Sequence, residues 1–136
     1  MPDQELYDRG MRIRREVLGD SYVDHAVANV DEFNRDFQQF LNEYCWGALW
    51  GREGLSRKQR SLNNLCLLYA LNRQVEFETH VRGALHNGCS VVEIRETLLQ
   101  VAVYAGIPAG VEAFRLARKV LLEEGLDFSA PPATGG

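Results

Sequence analysis

Lysine is nearly missing from this sequence. Of its fifteen basic residues thirteen are arginine, leaving only Lys58 and Lys119. Arginine carries a rigid fork of donors that fits carboxylates, so the bias points to an anion-binding site or to arginine-rich subunit contacts. A genome rich in G and C would produce the same bias. Cysteine is also scarce: Cys45, Cys66 and Cys89 are odd in number and form no Cys-x-x-Cys pair. That spacing describes neither a disulfide framework nor a zinc site. Positive charge is not clustered, and the net charge is −4, which argues against nucleic acid as a partner. No apolar run reaches the roughly 18–20 residues that span a bilayer. No glycine-rich phosphate loop opens a helix, so nucleotide cofactors have no support. The polar start of the chain, Met1 to Leu6, is not a signal peptide, and a cytoplasmic location is the expectation.

What is present is helical periodicity. The 136 residues, 46% hydrophobic and 25% charged, suit one soluble domain, expected over 1–127 with a flexible tail at 128–136 rich in Pro, Ala and Gly. Gln4 to Leu18 forms a first helix stopped by Gly19. Asp20 or Ser21 caps a short second helix to about Asn29. A longer helix is expected from Asp31 to Trp50, because Phe33, Phe37, Phe40, Leu41 and Tyr44 recur at spacings of three and four and build one apolar stripe. Ser56-x-x-Gln59 is a capping box before the apolar helix Leu62 to Leu71. Asn72 breaks it, and Gln74 to Asn87 continues as another helix. Ser90-x-x-Glu93 opens Val91 to Tyr104, and Pro108 suits the first turn of a last helix that runs to about Glu124. No segment alternates as a strand does. The fold class is therefore all-α, a compact bundle of six or seven helices. Helix 91–104 is apolar almost all round, which points to burial on more than one side through self-association.

His80 is the side chain with the most chemical promise. Glu76 stands one turn before it and Arg73 two turns before it, so the three share a helix face. A carboxylate, an imidazole and a guanidinium in a row suit an anionic substrate and a moving proton. The same face also describes a solvated surface with an ordinary Glu–His pair. Glu-x-x-x-His supplies two metal ligands without a third at a matching spacing, so no metal is expected. Trp46 and Trp50, one turn apart, wall a pocket or form a core or interface pair. Arg14 and Arg15 either neutralise substrate carboxylates or face solvent.

Five strings then act together. They are Gly10-Met-Arg-Ile-Arg-Arg-Glu-Val-Leu-Gly-Asp20, Tyr44-Cys-Trp-Gly-Ala-Leu-Trp-Gly-Arg-Glu-Gly-Leu55, Arg60-Ser-Leu-Asn-Asn-Leu65, Glu76-x-x-x-His80-Val-Arg-Gly-Ala-Leu-His-Asn-Gly88, and Glu93-Ile-Arg-Glu-x-Leu-Leu-Gln100 with Tyr104-x-Gly-Ile-Pro-Ala109. In this order, over about residues 7 to 124, the chain resembles the carboxymuconolactone decarboxylase family. The wider alkylhydroperoxidase-like superfamily carries Cys-x-x-Cys followed by x-x-x-His. Here those two positions hold Arg73 and Glu76, so dithiol redox chemistry is disfavoured.

The resemblance implies an alkylhydroperoxidase-like helical fold assembled as a ring-like homohexamer. It also implies cofactor-free decarboxylation of 4-carboxymuconolactone to 3-oxoadipate enol-lactone in the β-ketoadipate pathway of aromatic breakdown. Under that reading His80 is the proton donor or oxyanion partner and Glu76 orients it. Arg73, Arg60 and Arg15 hold substrate carboxylates, and Trp46 and Trp50 exclude water. The chain departs from the family's pattern at Cys45 and Glu53, where a small residue and a proline are expected, and Cys66, Tyr69 and Phe77 are also unusual. These departures leave open a paralogue acting on a related lactone or acid, or a non-enzymatic oligomeric module.

Overall fold

A computed structural model describes residues 2–128, so the tail expected at 128–136 lies outside the described residues except for Phe128. Seven α-helices and one π-helical segment make up the described fold, with no strand among these residues. They are α1 (Gln4–Leu18), α2 (Asp20–Ala28), α3 (Arg35–Phe40), the π-helix (Leu41–Leu49), α4 (Arg57–Ala70), α5 (Gln74–His86), α6 (Val91–Ala105) and α7 (Ile107–Glu123). No described helix is long and apolar enough to cross a membrane.

Local chemistry sets most boundaries. Asp3 caps α1 by accepting from the Leu6 amide, and Ser56 caps α4 by accepting from the Gln59 amide. At Ser56 the box is only half formed, because the Gln59 side chain turns to Asn63 instead. At Ser90 both reciprocal bonds are present, satisfying two amides that a helix start leaves free. The expected cap of α2 by Asp20 or Ser21 is not made: Gly19 occupies the N-cap position and no side chain bonds there. Asn72 takes a left-handed backbone, φ 60°, which asparagine tolerates better than most residues. This reverses the chain between α4 and α5.

The fold has two hydrophobic clusters. One joins α4 to α7 around Leu65, Phe77, Val81, Ile94, Leu98 and Val120. Tyr69 and Phe77 belong to it, meeting edge to face at 5.1 Å, so both of these unusual residues pack in the core. Phe128 packs partly buried against the same cluster. The other cluster joins α1, α2 and the π-helix around Ile13, Val17, Val23, Trp46 and Trp50. Helix α5 touches α4, α7 and α1, and so forms the seam between them.

The expected long helix from Asp31 to Trp50 is the main correction. Residues 32–34 form a turn, α3 is only six residues long, and the winding then changes to π. Of the anticipated apolar stripe only Leu41 packs on the core, while Phe33, Phe37, Phe40 and Tyr44 are all exposed. Asn42, Glu43, Trp46, Gly47 and Trp50 point inward in its place. Their step of four residues reflects a turn widened by i→i+5 bonding, as in Trp50 N–H to Cys45 C=O at 3.1 Å.

Candidate active site

The site begins at a backbone crossing. Helix α1 packs on the π-helix so closely that a Cβ on Gly10 would lie 1.7 Å from the Asn42 carbonyl oxygen. Gly47 faces Leu6 in the same way, with a built Cβ 2.5 Å from the Leu6 oxygen. Only glycine at both positions allows this approach. Nearby, the buried Glu43 carboxylate accepts from the Asp3 amide and the Gln39 side chain.

This crossing fixes the two tryptophans. Trp46 and Trp50 are both buried and stack at 5.0 Å between ring centroids. The His80 ring of α5 joins them. It lies parallel to Trp46, 6.1 Å between centroids and 1° between planes, and 6.4 Å from Trp50 at 25°. Such distances suit offset aromatic stacking. His80 therefore sits in the seam, its neighbours Phe77 and Val81 in one cluster and its ring on the indoles of the other.

That setting controls its charge. Burial pushes His80 down to about 4, and the opposing pull of the Glu76 carboxylate only partly offsets it. The imidazole is neutral at pH 7. Its polar neighbour is Asn64 of α4, with Nδ2 at 3.5 Å from His80 Nδ1, the long end of hydrogen-bond range. With the amide donating, Nδ1 accepts and the ring proton sits on Nε2.

The sequence-derived site residues divide into two groups. His80, Trp46 and Trp50 come together as described. Arg60 stands one turn before Asn64 on α4, which puts both on one helix face. It is half-buried, and its Nε is buried without a hydrogen-bond partner among the described residues. Glu76 is exposed and, among the described residues, makes no hydrogen bond to His80; it acts on the ring through charge. Arg73 is exposed at the N-cap of α5. Arg15 is engaged elsewhere, bonding Asp20 at 3.1 Å and Asp24 at 2.8 Å on the protein surface.

One residue gains importance that the sequence did not give it, and another parts from its neighbour. Asn64 was legible only as part of the string Arg60-Ser-Leu-Asn-Asn-Leu65, one turn after Arg60. Arg14, next to the surface residue Arg15, is buried. The three cysteines are free thiols, and burial pushes each above the ordinary thiol value, which makes poor nucleophiles of them. Among the described residues no three of His, Cys, Asp or Glu cluster as metal ligands.

Known proteins are similar to this chain. A 4-carboxymuconolactone decarboxylase of Acinetobacter baylyi is 38% identical over 126 residues, covering 93% of this chain and 94% of that protein. The nitrosuccinic acid decarboxylase npaB of Metarhizium robertsii is 42% identical over 118 residues, 87% of this chain and 82% of that protein. A 4-carboxymuconolactone decarboxylase sequence from Pseudomonas putida matches over 47 residues at 38% identity, covering 35% of this chain and 98% of that sequence. Residues 35–119 match the carboxymuconolactone decarboxylase family, a span that contains Trp46, Trp50, Arg60, Asn64 and His80, and the chain belongs to that family.

Proposed function

We propose that this chain is a cofactor-free carboxy-lyase that converts 4-carboxymuconolactone to 3-oxoadipate enol-lactone and CO2 in the β-ketoadipate route of aromatic catabolism. The observation that carries the reading is the neutral His80 ring stacked on Trp46 and Trp50, on a chain alike over almost its whole length to a protein of that activity.

The substrate is its own electron sink. The bond from the ring carbon to the departing carboxylate breaks, and its electron pair runs through the C=C bond to the lactone carbonyl oxygen. The dienolate then takes a proton at the carbon next to that carbonyl. Trp46 and Trp50 keep water from the leaving carboxylate, and a drier setting favours its loss as neutral CO2. His80 Nε2–H donates to the developing oxyanion. Substrate carboxylates beside the ring raise its pKa from the low free value, because an anion favours the imidazolium. The same ring then supplies the proton. Arg60, with its unpaired Nε, holds a substrate carboxylate, and Arg73, at the start of the helix that carries His80, serves a second. The exposed aromatic face of α3 and the π-helix supports assembly as a homo-oligomer, a hexamer in our reading.

A second reading rests on the similarity to a nitrosuccinic acid decarboxylase. Nitrosuccinate is also a dicarboxylate whose carbanion is delocalised onto oxygen, here of a nitro group, so the same residues would serve. Ultraviolet assays with each substrate, the lactone generated in place from its muconate precursor, separate the two. A higher kcat/KM for the lactone supports the first reading. Preference for nitrosuccinate moves the chain to the second, and inertness of the folded protein toward both overturns both.

A further inference from the structure

Arg14 is 4% exposed, and no carboxylate pairs with it among the described residues. Its Nη1 donates to two neutral acceptors, Gln38 Oε1 at 3.1 Å and Asn42 Oδ1 at 3.2 Å. Its Nε is buried without a partner. A buried cation is ordinarily paired, because taking it from water unpaired is costly. Burial accordingly holds this guanidinium below the usual arginine value.

The group is not sealed in. It lines a pocket of about 170 Å³ together with Tyr7, Met11, Gln38, Asn42 and Arg35. Arg35 is an exposed second cation, paired with Glu32. That volume corresponds to about six waters at roughly 30 Å³ each, or one short carboxylic acid. The walls combine apolar carbon, the amide side chains of Gln38, Gln39 and Asn42, and one uncompensated guanidinium, which suits a carboxylate with a small apolar end.

We propose that the pocket over Arg14 is a second anion site, which binds a small carboxylate by its head group and is separate from the His80 site. The ion supplies the missing charge partner of Arg14. Asn42, which shares that guanidinium, lies on the π-helix one turn before Trp46, so occupancy also steadies the segment that carries the stacked rings. The inference stands on burial and hydrogen bonding around Arg14 and is independent of the reaction proposed above.

The test is a calorimetric titration with sodium acetate and with sodium succinate, balanced by sodium chloride at constant ionic strength. The proteins are the wild type, Asn42→Asp and Arg60→Gln. Asn42→Asp is nearly isosteric and places a carboxylate against Arg14, filling the role of the ion. The wild type should bind acetate saturably, with a Kd on the order of millimolar, the scale of one charged contact. Arg60→Gln should retain this binding. Asn42→Asp should weaken it tenfold or more and should melt at a higher temperature than the acetate-free wild type. Succinate binding better than acetate would show that the site takes a diacid, within the proposal. Absence of saturable binding by the wild type, or undiminished binding by Asn42→Asp, overturns it. Binding that Arg60→Gln abolishes and Asn42→Asp retains assigns the ion to the His80 site and overturns it equally.

Discussion

The His80 imidazole lies parallel to the Trp46 indole, 1° between planes and 6.1 Å between centroids. A helix of one hydrophobic cluster thereby places its titratable ring on the aromatic wall of the other. The stack explains why the ring is neutral, and the neutral ring has consequences in solution.

The first concerns stability against pH. The folded pKa of His80, about 4, lies below its ordinary value of 6.5. Between those values the unfolded chain binds a proton that the folded chain refuses, so stability falls as the pH falls. The contribution is complete above pH 6.5, declines below it and is gone by about pH 4. Its full size is roughly 3 kcal/mol, from about 1.4 kcal/mol per pKa unit. Urea unfolding of wild type and His80→Gln across this range should converge toward low pH. A constant difference between pH 7 and pH 4 would refute the shift.

Asn64 is predicted to position His80 through Nδ1. Asn64→Asp places a negative charge beside the ring and favours the imidazolium. His80 supplies the proton, so the basic limb of kcat/KM, which reports the free enzyme, should move to higher pH in this variant. An unmoved limb would show that Asn64 does not act on the ring.

Arg60 is predicted to bind substrate. Arg60→Gln should raise KM about 10- to 100-fold, the scale of a lost charged hydrogen bond, with a smaller effect on kcat. Arg60→Lys should recover little, since lysine lacks the planar fork. Unchanged steady-state constants for both variants would remove Arg60 from the site.

The crossing of α1 and the π-helix has no room for a methyl group at Gly10. Gly10→Ala should destabilise the fold by about 2 kcal/mol or more, at the upper end of overpacking costs. It should also change Trp46 and Trp50 fluorescence, because the π-helix that carries them must move. A melting curve and emission spectrum matching wild type would contradict this packing.

The helical class and most helix limits were legible because they rest on local chemistry. Gly19, Ser56, Asn72, Ser90 and Pro108 each act on the backbone within one turn, and a capping box needs no tertiary context to be recognised. The π-helix was not legible. Periodicity analysis assumes α winding, so Phe33, Phe37, Phe40 and Tyr44 read as a core stripe although they lie on the surface. The tight fit of Gly10 and Gly47 against neighbouring backbone is a contact between distant segments, and sequence spacing carries no record of it. The site divides in the same way. His80 and the tryptophan pair stood out by residue type and by likeness to the family. Their mutual stacking, the role of Asn64 and the contrast between buried Arg14 and surface Arg15 depend on how α1, α4 and α5 pack. Adjacent arginines on a helix point about 100° apart, and only tertiary structure tells which one faces inward.

In the proposed reaction this protein removes CO2 from its substrate by means of His80 and without a cofactor. The most direct test is CO2 release from 4-carboxymuconolactone by purified protein in the presence of a chelator, wild type beside His80→Ala. The wild type should release one CO2 per lactone consumed, unaffected by the chelator. The folded variant should have a kcat at least about 100-fold lower, the scale general acids contribute. No CO2 from the folded wild type, or undiminished turnover by folded His80→Ala, would contradict the proposed reaction.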